Sequence, residues 1–242
     1  MDNIICYYIN LKRRPDRNKK MKDTLQLLNT YNINFERIDA IDCYTLKREK
    51  LIKKKYIVNI NSLRLGQIAC IMSHIKAWKA FIKSSNQYAI FFEDDIRFNI
   101  PYFNQEFENM IKELPNIDFD WLYLGRNNLQ FNNFYKGKII NLLFYQPETY
   151  GTGAHAYILS RSGCTKLLVY YNTIKDGSYY NNHPLDAMDS IIHLMKNYLN
   201  IKFNILSVLP FEKTLVNTDK IKESFSKEFM VYPYDTNDSD TS

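Results

Sequence analysis

Short apolar, β-rich runs alternate along this chain with segments whose apolar residues recur at helical spacing. This alternation restricts the possible folds more than any other feature of the sequence. Strands are predicted at residues 4–11, 35–41, 88–92, 121–124, 138–145, 154–160 and 203–209. Helices are predicted from Pro15 onward and at residues 65–84, 101–114, 161–171 and 184–199. The pattern predicts an α/β domain with a mainly parallel sheet, in which ligands bind at the carboxyl ends of the strands.

Composition limits the domain organisation and the class of partner. The chain has 242 residues, of which 45% are hydrophobic, and this suits one domain with a sizeable core. We expect that domain at residues 1–232, followed by an acidic, disordered tail at 233–242. The net charge of +6 is modest and comes without a helix-turn-helix, zinc-finger or RNP-like pattern, so no nucleic-acid partner is expected. A positive field would also favour an anionic nucleotide ligand.

The cysteines and the N-terminal segment indicate the compartment. The four cysteines, Cys6, Cys43, Cys70 and Cys164, are widely separated and form no C-x-x-C pair, which favours reduced core thiols over zinc or disulfide frameworks. The sequence shows no signal-peptide pattern and no apolar run of membrane-spanning length. We therefore expect a soluble, cytoplasmic protein without a membrane span, and a homodimer is left open.

Three consecutive carboxylates, Glu93, Asp94 and Asp95, follow the apolar strand predicted at residues 88–92. Like charges this close repel one another and raise one another's pKa unless a cation lies among them. Strand alternation places Glu93 and Asp95 on the same side, with Asp94 opposite. Two oxygen ligands on one side suit Mn²⁺ or Mg²⁺, which also accept diphosphate oxygens and water. The alternative is a solvated strand end with a helix cap.

Seven sequence blocks in a fixed order carry a resemblance to a known family. They are Tyr8 to Leu11 with Arg13, Arg14, Pro15, Asp16 and Arg17; Phe35, Glu36 and Arg37 with Ala40 and Asp42; residues 66–70 with Ser73, His74 and Trp78; residues 92–95; residues 122–126; residues 156–160 with Gly163, Leu167 and Leu168; and Pro184, Leu185 and Asp186. In these blocks the chain resembles glycosyltransferase family 25, which includes lipopolysaccharide-modifying transferases and collagen galactosyltransferases. Cys43 and Ala69 stand where the family favours glycine, and residues 210–222 match it weakly.

The resemblance implies a fold, a reaction and a cofactor. The implied fold is of the GT-A type, a nucleotide-sugar-binding α/β unit fused to an acceptor half. The implied donor is a UDP-sugar, with galactose or a related hexose as the transferred group, and the implied cofactor is Mn²⁺. The acceptor would be a hydroxyl of a protein or glycan, and the family is expected to invert the anomeric configuration.

Roles for individual residues follow from their positions and from the resemblance. Glu93 and Asp95 are the predicted metal ligands, and Asp186 is the predicted base that takes the acceptor proton. Asp94 is the second catalytic candidate, and its contact with ribose, metal or donor sugar is left open. The predicted donor-binding residues are Asn10, Arg13, Arg17, Asp42, Ser73, His74 and Glu93.

Each of these assignments has a structural alternative. Asp186 is also the residue that helix-dipole stabilisation favours in a first helical turn after Pro184. A lone histidine such as His74 is usually structural, and Asp42 suits a turn. For the whole protein, one alternative is a catalytically silent binding relative, against which the intact acidic motif counts. Another is a metal-dependent phosphotransferase, which would usually bring a Gly-rich phosphate loop that does not follow the first strand here.

Overall fold

The computed structural model describes residues 3–47, 49–50, 64–125, 137–147, 154–175, 202–208 and 231–233. The predicted helix at 184–199, which contains Asp186, and residues 234–242 of the predicted acidic tail lie outside the described residues. Within the described residues, none of the helices combines the length and apolarity that a bilayer crossing requires.

Ten strands and four α-helices make up the regular structure of the described residues. The strands are β1 Ile4–Asn10, β2 Phe35–Asp39, β3 Tyr88–Glu93, β4 Ile96–Phe98, β5 Trp121–Tyr123, β6 Gly137–Ile139, β7 Phe144–Pro147, β8 Ala156–Ser160, β9 Ile205–Val208 and β10 Val231–Pro233. The helices are α1 Pro15–Leu25, α2 Leu65–Lys83, α3 Ile100–Glu113 and α4 Arg161–Lys175. Short 3₁₀ helices cover Gln26–Tyr31, Cys43–Thr45 and Leu114–Asn116.

Eight of the described strands form one sheet in the order β2-β1-β3-β8-β5-β9-β7-β6. β1 is parallel to both β2 and β3, and β5 is parallel to β9. β8 and β7 are antiparallel to their neighbours, so these two strands run against the other six. The predicted α/β class with a mainly parallel sheet is thus confirmed. β4 and β10 form a separate antiparallel pair.

One predicted strand is wrong in detail. The single strand predicted at residues 138–145 is a hairpin, in which β6 and β7 are joined by a tight turn at Asn141. The side-chain oxygen of Asn141 accepts hydrogen bonds from the backbone N–H groups of Leu143 at 2.8 Å and Phe144 at 3.0 Å. Asparagine favours such turns because its side chain replaces a backbone acceptor, and here it reverses the chain inside an apolar run.

Both faces of the sheet are covered, which explains why the first strand is apolar throughout. Alternate residues of β1 pack into two cores. On one face, Tyr7 lies with side chains of α2 and α4. On the other face, Tyr8 lies with side chains of α1 and α3. A strand that is buried on both faces reads as a continuous hydrophobic run rather than as an alternating one.

Arg161, at the start of α4, holds the C-terminal end of α2. Its guanidinium donates to the carbonyl oxygens of Ile82 at 3.1 Å and Ser84 at 2.5 Å, and twice to that of Asn86, at 2.6 and 2.9 Å. The last carbonyls of a helix have no partner within the helix, so this charged donor satisfies groups that would otherwise need water. The contact fixes α2, which forms one wall of the cavity described below.

Gly163 in α4 leaves no room for a side chain. A Cβ added there would lie 2.7 Å from both Cα and the carbonyl carbon of Asp120, and closer still to its carbonyl oxygen. We expect Gly163→Ala to lower the free energy of unfolding by ~1–3 kcal/mol in chemical denaturation, because backbone must move to relieve the overlap.

Gly66→Ala is the matched control, since a Cβ at Gly66, also in a helix, would meet nothing within 4 Å. This variant should keep or raise stability, by up to ~1 kcal/mol from helix propensity. Equal stability of the two variants would contradict the close approach of α4 to Asp120.

Candidate active site

A cavity of about 210 Å³ lies at the carboxyl ends of the parallel strands β1 and β3, where the α/β rule predicts a ligand site. The pairing of β1 with β3 explains this location. Ile9 of β1 lies opposite Glu93 of β3, so the two strands end at the same edge of the sheet. The wall also includes the segment after β2 and the first turns of α2. The lining residues are Ile9, Leu11, Arg13, Ala40, Ile41, Cys43, Gly66, Ala69, Cys70, Ser73, His74, Glu93, Asp94 and Asp95.

The structure brings most of the predicted site residues to this cavity. Those in its wall are Arg13, Ser73, His74, Glu93, Asp94 and Asp95. Three other predicted residues are not part of the wall but contact residues that are: Asn10 and Arg17 contact Asp94, and Asp42 contacts Arg13. Asp186 lies outside the described residues.

The acidic motif forms a turn rather than a strand continuation. β3 ends at Glu93, and Asp94 and Asp95 form the turn that leads into β4. The alternation that would place Asp94 opposite Asp95 therefore does not extend past Glu93, and this part of the prediction is wrong. Arg17 contacts both aspartates, at 2.9 Å to Oδ1 of Asp94 and 3.4 Å to Oδ2 of Asp95.

Asn10 supports the acidic turn from the end of β1. Its buried side-chain amide donates to Oδ2 of Asp94 at 2.7 Å and to the carbonyl oxygen of Arg14 at 3.1 Å. Its side-chain oxygen accepts from Nε of Arg37 at 2.9 Å. The structure thus gives the amide of Asn10 three protein contacts, and these position Asp94 in the cavity wall.

Asp95 is the carboxylate whose environment most favours a cation. Its Oδ1 is buried and has no hydrogen-bond partner among the described residues. Burial and the charge of Glu93, with a smaller effect of Asp94 and against the opposing charge of Arg17, raise the pKa of Asp95 to about 6. A divalent cation would satisfy the unpartnered oxygen and offset the repulsion. The residues present therefore fit the Mn²⁺ or Mg²⁺ that was predicted on Glu93 and Asp95.

A chain of buried hydrogen bonds leads from the core to Glu93. Nε1 of Trp78 donates to the hydroxyl oxygen of Tyr157 at 2.9 Å, and that hydroxyl lies 2.7 Å from Nδ1 of His74. Nε2 of His74 lies 3.2 Å from Oε1 of Glu93. Burial raises the pKa of Tyr157 well above its usual value, so the hydroxyl keeps its proton and can donate to Nδ1. All members are then satisfied when His74 carries its proton on Nε2 and donates to Glu93.

The surroundings of Glu93 keep it ionised. Burial alone would raise its pKa, but the hydrogen bond from His74 lowers it, with help from His155 and from the thiol of Cys70. Sγ of Cys70 lies 3.7 Å from Oε1 of Glu93. The net effect is a pKa below the usual value for glutamate, so Glu93 can offer a charged oxygen at neutral pH.

The remaining predicted residues support the other side of the cavity. Ser73 accepts from the backbone N–H of Ile41 at 2.8 Å and donates to the carbonyl oxygen of Ala69 at 2.6 Å, so its hydroxyl joins α2 to the segment after β2. Asp42 accepts from Nε of Arg13 at 2.8 Å. This pair holds the Arg13 side chain, which is about half exposed, at the cavity wall.

Sequence reasoning missed three contributors to this site: Arg37, Cys70 and Tyr157. Arg37 and Tyr157 act only through tertiary contacts, and no local pattern distinguishes them from other strand residues. Cys70 had a usable signal, because it stands four positions before His74 on a helix that was predicted correctly, and residues at this spacing share a face. An isolated cysteine is usually a core thiol, so this spacing alone does not indicate a site residue.

Comparison with known proteins agrees with the resemblance. Residues 3–189 match the sequence profile of glycosyltransferase family 25 (LPS biosynthesis protein). Procollagen galactosyltransferase 1-A of Xenopus laevis is 30% identical over 172 residues, covering 67% of this chain and 27% of that protein. A glycosyltransferase 25 family member of Drosophila melanogaster is 29% identical over 171 residues, with the same coverage. The chain therefore spans just over a quarter of the length of these curated relatives.

A solved structure shares the fold. The crystal structure of a glycosyltransferase involved in the glycosylation of the major capsid of PBCV-1 aligns with a TM-score of 0.51 and 12% sequence identity, over 96% of this chain and 92% of that one. Together with the sheet topology described above, this likeness confirms the predicted GT-A-type fold.

Tyr157→Phe tests the buried chain that supports Glu93. The variant keeps the ring but leaves two buried nitrogen atoms, of Trp78 and His74, without the hydroxyl that they contact. Because each unsatisfied buried group costs ~1–3 kcal/mol, we expect a loss of at least ~2 kcal/mol in chemical denaturation. Tyr88→Phe, which removes one hydroxyl contact to the carbonyl of Leu114, is the control and should cost ~1 kcal/mol. Similar losses in the two variants would argue against the network.

Proposed function

This chain belongs to glycosyltransferase family 25, and on that premise we propose that it transfers a hexose from a UDP-sugar to a hydroxyl of a protein or glycan acceptor. Galactose is the first candidate for the hexose, because a relative carries the name procollagen galactosyltransferase. The observation that carries the proposal is the acidic turn, which lies in the wall of a cavity at the carboxyl ends of β1 and β3 and holds a buried Asp95 oxygen with no partner in the described part of the chain.

Glu93 and Asp95 are the residues that would hold Mn²⁺ or Mg²⁺ in this enzyme. When bound, such a cation supplies Lewis-acid stabilisation of the negative charge that develops on the leaving diphosphate. Arg17 keeps the two aspartates of the turn in place, and His74 fixes the orientation of Glu93. The chain thus presents ionised oxygens in a prearranged geometry, so that little reorganisation is needed during the reaction.

The rest of the cavity suits the nucleotide part of the donor. Leu11, Ala40 and Ile41 provide an apolar surface from which a nucleoside can displace water. Arg13, held by Asp42 at the same wall, presents a guanidinium that can bind phosphate oxygens through two N–H groups. In this arrangement the diphosphate lies between Arg13 and the acidic turn.

We propose an inverting transfer by in-line displacement at the anomeric carbon. The acceptor oxygen forms a bond to that carbon while the bond from the carbon to the diphosphate oxygen breaks, and UDP leaves. The proton of the acceptor hydroxyl passes to a carboxylate, for which Asp186 is the candidate through its match to the family motif. Asp94, which Asn10 and Arg17 hold in the cavity wall, is the candidate contact for the donor sugar, the ribose or the metal.

Asp95→Asn tests the metal role. The full chain, incubated with UDP-galactose and Mn²⁺, should release UDP, and slow hydrolysis without an acceptor would suffice. We expect Asp95→Asn to lower the rate at least ~100-fold, equivalent to ~3 kcal/mol, because one charged ligand is lost without a change of volume. Asp23→Asn, an exposed carboxylate on α1, is the charge-matched control and should retain activity. Full activity of Asp95→Asn would refute the metal assignment.

Asp186→Asn separates catalysis from donor binding. If Asp186 is the base, the variant should bind UDP-galactose in the presence of Mn²⁺ with unchanged affinity by calorimetry but transfer hexose at least ~100-fold more slowly, since the hydroxyl proton has no acceptor. A parallel loss of UDP-sugar affinity and of rate would reassign Asp186 to the donor site.

A further inference from the structure

A second set of possible metal ligands overlaps the acidic turn. Among the described residues, Cys70, His74 and Glu93 are the group of three whose ligand atoms all lie within 4.8 Å of one another. Oε1 of Glu93 is 3.2 Å from Nε2 of His74 and 3.7 Å from Sγ of Cys70. Asp95, the other predicted metal ligand, is not part of this group.

The ligand types and separations suit zinc better than the hard cations. Thiolate, imidazole and carboxylate are the ligands that zinc takes in proteins, whereas Mn²⁺ and Mg²⁺ prefer oxygen. Ligand atoms at zinc bond lengths of ~2.0–2.3 Å lie ~3.4–3.6 Å apart around a tetrahedral ion. The two separations from Glu93, 3.2 and 3.7 Å, lie on either side of that range, so small side-chain shifts bring both pairs to zinc geometry.

The spacing of these side chains on α2 and the hydrogen bond of His74 also resemble those of zinc sites. Cys70 and His74 are four residues apart on α2 and share a face, which is the spacing that lets one helix supply two zinc ligands. The second ring nitrogen of His74 contacts the Tyr157 hydroxyl, as metal-bound histidines usually require of a neighbouring group. All three side chains line the cavity, which gives the ion an entry path and leaves a fourth position open to water.

We infer that Cys70, His74 and Glu93 form a zinc-binding site that shares Glu93 with the Mn²⁺ site. Binding releases the thiol proton of Cys70 to solvent. It also moves the His74 proton from Nε2 to Nδ1, where the oxygen of Tyr157 accepts a hydrogen bond. Zinc bound at Oε1 of Glu93 places a second divalent charge beside the Mn²⁺ site and neutralises part of the shared carboxylate's charge. Zinc therefore weakens Mn²⁺ binding and inhibits the enzyme; this consequence rests on the proposed function, but zinc binding itself does not.

Cobalt spectroscopy on the full chain without nucleotide tests the site. Co²⁺ should give a thiolate-to-metal charge-transfer band that one equivalent of Zn²⁺ abolishes. Cys70→Ala and His74→Ala should remove the band and weaken Zn²⁺ binding at least tenfold, measured by competition with a chromophoric chelator. Cys43→Ala is the matched control, because Cys43 lies in the same cavity wall but outside the ligand group, and it should keep both properties. A wild-type chain without the band, or a band that survives Cys70→Ala, would overturn the proposal.

A measurement on the unaltered chain removes any dependence on how the variants fold. Zn²⁺ should protect Cys70, and not Cys43, from alkylation by iodoacetamide, as mapped by peptide mass spectrometry. Equal labelling of Cys70 with and without Zn²⁺ would contradict the site. Zn²⁺ should also suppress Mn²⁺-dependent UDP release, with reversal by a chelator. Binding without suppression would refute the competition alone, whereas absence of UDP release in all conditions would count against the proposed function and leave the binding result intact.

Discussion

Repulsion among three adjacent carboxylates at the end of one buried strand is the constraint on which the site depends. Glu93, Asp94 and Asp95 can remain ionised together only if positive charge and hydrogen-bond donors lie around them. Arg17 and Asn10 contact Asp94, and the buried His74 contacts Glu93, but no described residue satisfies one oxygen of Asp95. The described residues thus stabilise most of the negative charge, and under the proposed function a cation would neutralise the rest.

Much of this arrangement could be predicted from the sequence, for identifiable physical reasons. The first strand and the helix Leu65–Lys83 have strong local patterns of apolar residues because each has extensive buried surface. The ligand site was predictable because ligands of α/β folds bind at the edge where the parallel strands end. The antiparallel insertion of Ala156–Ser160 between two other strands was not predictable, since local periodicity does not encode strand direction. The contacts of Asn10 and Arg17 with Asp94 were also hidden, because they join residues that are remote in sequence.

The side chains around Glu93 are of two kinds, and each kind suits a different class of metal ion. Towards the turn its neighbours are carboxylates, which suit hard cations that also bind diphosphate oxygens. Towards helix α2 its neighbours are a thiol and an imidazole, which suit softer ions. The same hydrogen bond from His74 that keeps Glu93 ionised for the first role places the imidazole within reach for the second. Ion selectivity at this site would then depend on relative metal availability as well as on affinity.

The pairing of Val231–Pro233 with Ile96–Phe98 has a consequence for how the site is assembled. Ile96 follows the acidic turn directly, so the strand that borders the turn gains its partner only after synthesis has reached Val231. Non-local pairing of this kind forms late, because a long loop must close before the contact is made. During translation the three carboxylates would therefore be made well before the strand that follows them has its partner. The final geometry of the turn would then form in one of the last folding events.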